Sequence, residues 1–113
     1  ALGEYFTCAI LNDRSVGCWG SFWDERPGGR NGALMKADLG GPDNKAKDIA
    51  AGWTHTCAIL TDNTLKCWGR NNYGQVGDGT LVNKPTPTTI TLPDNKYAIA
   101  MGLSAGFTCV VTN

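Results

Sequence analysis

An all-β fold of short strands is what this chain predicts, on three observations. One hairpin-like phrase is written twice, turn-forming residues are spread along the whole length, and no segment sustains a helical period. The phrase reads FTCAILNDRSVGCWG over 6–20 and HTCAILTDNTLKCWG over 55–69, so that Cys8, Cys18, Trp19 and Gly20 recur as Cys57, Cys67, Trp68 and Gly69 at a constant offset of 49. Fifteen glycines and five prolines among 113 residues supply the turns. A third opening, AGFTCVVTN over 105–113, places Cys109 52 residues after Cys57, and PDNK recurs at Pro42 and Pro93. Self-similarity at such a period marks a repeat architecture. The units are a divergent first repeat over 1–48, a second over 49–99 and the start of a third over 100–113.

Each copy begins with a run of β-compatible residues, a polar break and a second short run closing on Cys-Trp-Gly. In the second copy a three-residue loop of Thr61, Asp62 and Asn63, with Asn63 in the left-handed conformation that asparagine tolerates, pairs Leu60 with Thr64 and sets Cys57 opposite Cys67. The same count sets Cys8 opposite Cys18 but forces Arg14 into the strained position. The stretch GALMKADLGG is the least strand-like and reads as a helical turn. Further on, KPTPTTITLP from Lys84 to Pro93 reads as an exposed, extended loop between strands, with Thr86, Thr88, Thr89 and Thr91 as candidate O-glycosylation sites. No Asn-x-Ser or Asn-x-Thr acceptor occurs, so a glycan would be O-linked.

Directly opposed strand residues bring their Cβ atoms to about 4.5–5.5 Å, close enough for a bridge after modest adjustment. Cys8 with Cys18 and Cys57 with Cys67 are therefore read as cross-strand disulfides. Two buried thiols per hairpin, or a four-ligand zinc site, are the competing readings. Zinc is the weaker, because its ligands come in pairs two to four residues apart and this chain has no such pair and a single histidine. No metal and no cofactor is expected. Paired cysteines in a small, loop-rich chain point to an oxidising compartment and a secreted, extracellular protein.

Composition excludes several function classes. Ten Lys plus Arg balance ten Asp plus Glu, and neither sign forms a run, so the electrostatic footprint of a nucleic-acid binder is missing. No apolar stretch is long enough to span a bilayer, and no charged and hydrophobic leader opens the sequence, so no membrane insertion is expected and a signal peptide would lie outside this sequence. GQVGDG has the wrong glycine spacing for either phosphate-binding fingerprint, and no Lys-Ser or Lys-Thr follows it.

The stretch IAAGWTHTCAILTDNTLKCWGRNNYGQVGDGT, from Ile49 to Thr80, resembles the repeat of the regulator of chromosome condensation family. Its units run from an Ala-Gly-x-x-His motif through Trp-Gly to a glycine-rich close, here AGWTHTCAIL followed by CWGRNNYGQVGDGT. The first copy keeps TCAIL and CWG but replaces the glycine-rich end; the third keeps Gly106 and the opening strand. The resemblance implies that each repeat supplies about one four-stranded blade of a β-propeller. The chain would then hold about two β-propeller-like blades plus the start of a third, incomplete as a closed ring. A cysteine pair of this kind is a trait of the family's extracellular members. In that fold Gly74, Gly77 and Gly79 would serve sharp turns, and Gly52, Gly69 and Gly106 close backbone approaches. His55 would be a framework residue packed on the next strand, and Trp19 and Trp68 packing residues.

The expected function follows from unsatisfied blade edges, which template pairing with another chain. Unlike ends joined repeatedly close into a ring or run on as a filament. The leading expectation is a secreted, non-enzymatic structural subunit of an extracellular fibre or larger scaffold, with copies of itself or further propeller repeats as partners. Cys109 is then a candidate intermolecular disulfide or a free thiol. The alternative is a protein-recognition or inhibitor module forming part of a larger secreted propeller and binding another extracellular protein. Phe22, Trp23 and Arg26, in the divergent part of the first repeat, are its candidate contact surface. No catalytic residue is assigned; a catalytic reading would have to bring Asp24, Glu25, His55 and Asp78 together.

Overall fold

Residues 6–20, 35–41, 44–104 and 106–113 are described in a computed structural model of the chain. Their strands form three antiparallel sheets. The first joins β1 (Phe6–Ile10), β2 (Val16–Gly20) and β3 (Met35–Lys36) in that order. The second is four-stranded, with β4 (Ala46–Ala51), β5 (His55–Leu60), β6 (Leu65–Gly69) and β7 (Lys84–Ile90) in chain order. After a short 3-10 turn at Pro93–Asn95, β8 (Ala98–Leu103) pairs with β9 (Thr108–Thr112). Up-and-down sheets stacked side by side without closure are a sector of a β-propeller.

Turn chemistry fixes both complete hairpins. Leu60 N–H donates to Thr64 O at 2.8 Å, and Leu11 N–H to Ser15 O at 2.8 Å. Asn63 and Arg14 take the left-handed position, with φ of 71° and 68°. An aspartate steadies each loop: Asp62 Oδ1 accepts from Thr64 N–H, and Asp13 Oδ1 from Ser15 N–H, both at 3.0 Å. The register that results pairs Cys57 with Cys67 and Cys8 with Cys18. Both pairs are disulfide-bonded, with Cα atoms 4.0 and 4.1 Å apart, and Cys109 is free and exposed.

The strands alternate their side chains between two interfaces, as a pleated sheet buried on both sides must. Between the first and second sheets, Cys8, Val16, Cys18 and Leu39 pack against Ala46, Ala58, Leu60 and Trp68. Between the second and third, Cys57, Ile59, Leu65 and Cys67 meet Ala98, with Met101, Leu103 and Val110 beside it. Shifting the first interface by 49 residues on one side and 52 on the other turns Cys8, Val16 and Cys18 into Cys57, Leu65 and Cys67, and Ala46 and Ala58 into Ala98 and Val110. Each disulfide is thus a packing element between sheets. Every bridged cysteine is at most 1 % exposed.

Three expectations need correction. Met35–Lys36, inside the stretch read as a helical turn, pairs with β2 as a strand. Lys84–Ile90 is an outer strand, where a loop was expected. Its prolines fall where the ladder skips from Cys67 opposite Thr88 to Gly69 opposite Lys84, so no bond of the ladder depends on them. Trp19 is 38 % exposed, against 1 % for Trp68 at the same repeat position. Trp68 lies beneath the first sheet, whereas the described residues place no sheet over Trp19.

Candidate functional site

Three loops gather at one end of the second and third sheets: 52–54 between β4 and β5, 70–83 between β6 and β7, and the one between β8 and β9. The long loop is built around Asn71, which is fully buried. Its amide nitrogen donates to Asp78 Oδ1 at 3.1 Å, Thr80 O at 2.9 Å and Val82 O at 3.0 Å, while its Oδ1 accepts from Val76 N–H at 2.9 Å. Desolvation pulls the Asp78 carboxyl upward, but hydrogen bonds from Thr80, Lys84 and Asn71 outweigh it and hold the group well below the usual carboxylate range. Lys84 Nζ is 3.0 Å from Asp78 Oδ2. Gly74, Gly77 and Gly79, with φ of 75°, 86° and 83°, turn the chain where an L side chain would be strained.

Against this frame lies a groove of ≈ 370 Å³, lined by Trp53, Thr54, Arg70, Asn72, Tyr73, Gln75 and Gly106. Trp53 is 57 % exposed and Tyr73 75 %. The loops that carry them are nevertheless tied: Gly52 N–H donates to His55 O at 2.8 Å across the turn holding Trp53, while Tyr73 N–H donates to Gln75 Oε1 and Arg70 N–H to Thr54 O, both at 2.9 Å. Gly106 was expected at a close approach. A Cβ there would meet Tyr73 at an ordinary 3.6 Å, so its place at the groove imposes no steric demand.

Beneath the groove, His55 joins two sheets. Thr108 Oγ1 donates its single proton to Gln75 O at 2.6 Å, so at 2.9 Å it accepts from His55 Nε2–H. His55 is 1 % exposed, and burial pushes its pKa down to about 4 against a smaller upward pull from the backbone of Phe107. A neutral imidazole that donates to a hydroxyl is a structural tie between β5 and β9. Gly52 makes room for it, since a Cβ there would collide with the His55 ring and the Ser104 carbonyl oxygen.

The sequence-derived candidates are placed as follows. Phe22, Trp23, Arg26, Asp24 and Glu25 lie outside the described residues. His55 and Asp78 belong to separate networks, one on Thr108 and one on Thr80, Lys84 and Asn71. Thr86, Thr89 and Thr91 are exposed and Thr88 is half-buried. Among the described residues no group of His, Cys, Asp and Glu could hold a metal ion. Sequence reasoning missed Trp53, Tyr73 and Arg70; the signal was present in two aromatics inside the family motif, Trp53 at an x position of Ala-Gly-x-x-His and Tyr73 between Trp-Gly and the glycine-rich close.

Two models of the same repeat match the chain. Both are described as Regulator of chromosome condensation (RCC1) repeat, one over residues 46–75 and the other over 63–111. No curated protein matches in sequence. Among solved structures the chain is similar to human WBSCR16, with a TM-score of 0.87 and 18 % identity over 100 % of this chain and 30 % of that one. It is also similar to Saccharomyces cerevisiae Prp20p, in a structure described with its binding properties to Gsp1p and histones, at a TM-score of 0.76 and 19 % identity over 96 % of this chain and 29 % of that one. A further structure, of Kap60 bound to yeast RCC1 (Prp20), gives 0.73 and 22 % over 98 % and 26 %. The chain spans less than a third of the length of each. Repeat sequence and sheet stacking agree, and the chain belongs to the regulator of chromosome condensation repeat family.

Proposed function

We propose that the chain is a protein-recognition sector of a larger β-propeller, engaging its partner through the loop end that carries Trp53, Tyr73 and Arg70, without catalysis and outside the cell. The observation that carries the reading is the pair of widely exposed aromatics, Trp53 and Tyr73, which line one groove from two neighbouring loops, the longer of them pinned by the hydrogen bonds of the buried Asn71. Tryptophan, tyrosine and arginine dominate protein-binding hot spots; the two aromatics cover much surface for little lost conformational freedom, and arginine adds a planar fork of donors. Protein binding also recurs among the structural neighbours, whose descriptions pair Prp20 with Gsp1p, histones and Kap60. The buried bridges favour an oxidising, extracellular setting. A quantitative affinity capture tests the reading, comparing the chain with a Trp53→Ala/Tyr73→Ala/Arg70→Glu variant of equal melting temperature. Proteins retained by the first and released by the second are expected; identical retention overturns the reading.

The second reading, a secreted subunit of a fibre or scaffold assembling with copies of itself, draws on Cys109, a free and exposed thiol on β9. Ile99 and Val111 of the same sheet are 55 % and 58 % exposed. Sugars on Thr86, Thr88, Thr89 or Thr91 would coat the outer strand of the second sheet. Non-reducing electrophoresis with electron micrographs decides this reading: ladders and threads lost in Cys109→Ser support it, and a monomer defeats it. Intact mass without hexose increments removes the glycan.

A further inference from the structure

The geometry points to a partner segment that is acidic and flanked by apolar side chains, seated between Trp53 and Tyr73 with its carboxylate on Arg70. This rests on the recognition reading above and narrows it to one partner chemistry. Among the described residues Arg70 is the one charged residue lining the groove; the rest of that lining is aromatic, hydroxyl, amide or glycine. It is exposed, and no carboxylate among the described residues pairs with it. The only acid in its own loop, Asp78, is already neutralised by Lys84 at 3.0 Å and saturated by Asn71 and Thr80. In a chain of zero formal net charge the groove is therefore locally positive, with that charge free to be used.

The chemistry of the occupant follows from the chemistry left unsatisfied. A guanidinium presents a planar fork of donors that matches a carboxylate with two parallel bonds. A dianionic phosphate would call for more than the single cation that the described residues place here. Trp53 and Tyr73 offer apolar faces to the residues beside that carboxylate, and their exposed rings leave water on better terms when covered by aliphatic or aromatic groups. Asn72, which is exposed, supplies an amide to an extended peptide backbone, as a polar rim around an apolar contact requires. Because Arg70 N–H is held by Thr54 O and Tyr73 N–H by Gln75 Oε1, the aromatic and cationic anchors spring from a fixed backbone.

Selection of a displayed random peptide library on the immobilised 113-residue chain tests the inference. Enriched peptides are expected to carry Asp or Glu next to an aromatic or aliphatic residue. Their synthetic versions should lose about tenfold or more in affinity for Arg70→Glu and for Trp53→Ala, and less for Arg70→Lys. All three variants change exposed side chains, and matched thermal melts check that they fold. Neutral or basic peptides that lose binding in Trp53→Ala but not in Arg70→Glu overturn the acidic partner while leaving the recognition site standing. Peptides indifferent to every variant, or no enrichment at all, overturn both.

Discussion

At the scale of single residues, the two left-handed turn positions are a natural experiment. Asn63 and Arg14 hold the same backbone shape, but asparagine's short polar side chain suits it and arginine's does not. Arg14→Asn is expected to stabilise the chain by about 1 kcal/mol, read as a rise in thermal midpoint, while Asn63→Arg lowers it comparably. His55 makes the opposite kind of statement, since its environment suppresses charge. Its folded pKa of about 4 lies below the unfolded value of 6.5, so as pH falls through 6.5 the unfolded chain takes up a proton that the folded one refuses. Stability contributed by this residue is complete above 6.5, drains away between 6.5 and 4, and levels off below. The loss amounts to at most about 3 kcal/mol. Denaturant melts from pH 8 to 4 should show that slope for the natural chain and a flatter one for His55→Gln; equal slopes would refute the assignment.

At the scale of elements, one repeat position carries two energies. Trp68 is closed in between sheets and Trp19 stands 38 % exposed. Trp68→Ala is expected to cost about 3–5 kcal/mol in chemical denaturation and Trp19→Ala less than about 1 kcal/mol, although the sequence writes both as Cys-Trp-Gly. The contrast shows what the sequence held. Hairpins were legible because turn chemistry is local: Asp62, Asn63 and Thr64 decide among themselves that Cys57 faces Cys67. What a strand touches across the sheet gap is decided by residues about fifty positions away, so the depth of Trp19 could not be read from its neighbours. Strand β7 was misread for a related reason. Pro85 and Pro87 argue against a ladder in general, and only the register skip opposite Trp68 makes them harmless. The groove escaped notice because it is composed of three loops, each unremarkable alone, and its three anchors lie on two of them.

At the scale of the whole molecule, the bridges are walls between sheets, which governs when a reagent can reach them. Cys109 should react with a thiol-specific alkylator at once, while Cys8, Cys18, Cys57 and Cys67 resist a reductant until denaturant parts the sheets. Mass spectrometry after alkylation counts this directly: one label under native reducing conditions and five on unfolding are expected. Additional native labels would mean that the interfaces open freely. The two interfaces also share one plan, in which a bridged side meets an alanine-led side, Cys8 and Cys18 against Ala46 and Ala58, then Cys57 and Cys67 against Ala98 and Val110. Each blade therefore has a front and a back that differ in chemistry. Stacking has a sense of travel, as in a row of cups, and a newcomer that reached the Cys109 side of the third sheet or the Trp19 side of the first in the reversed orientation would find like against like.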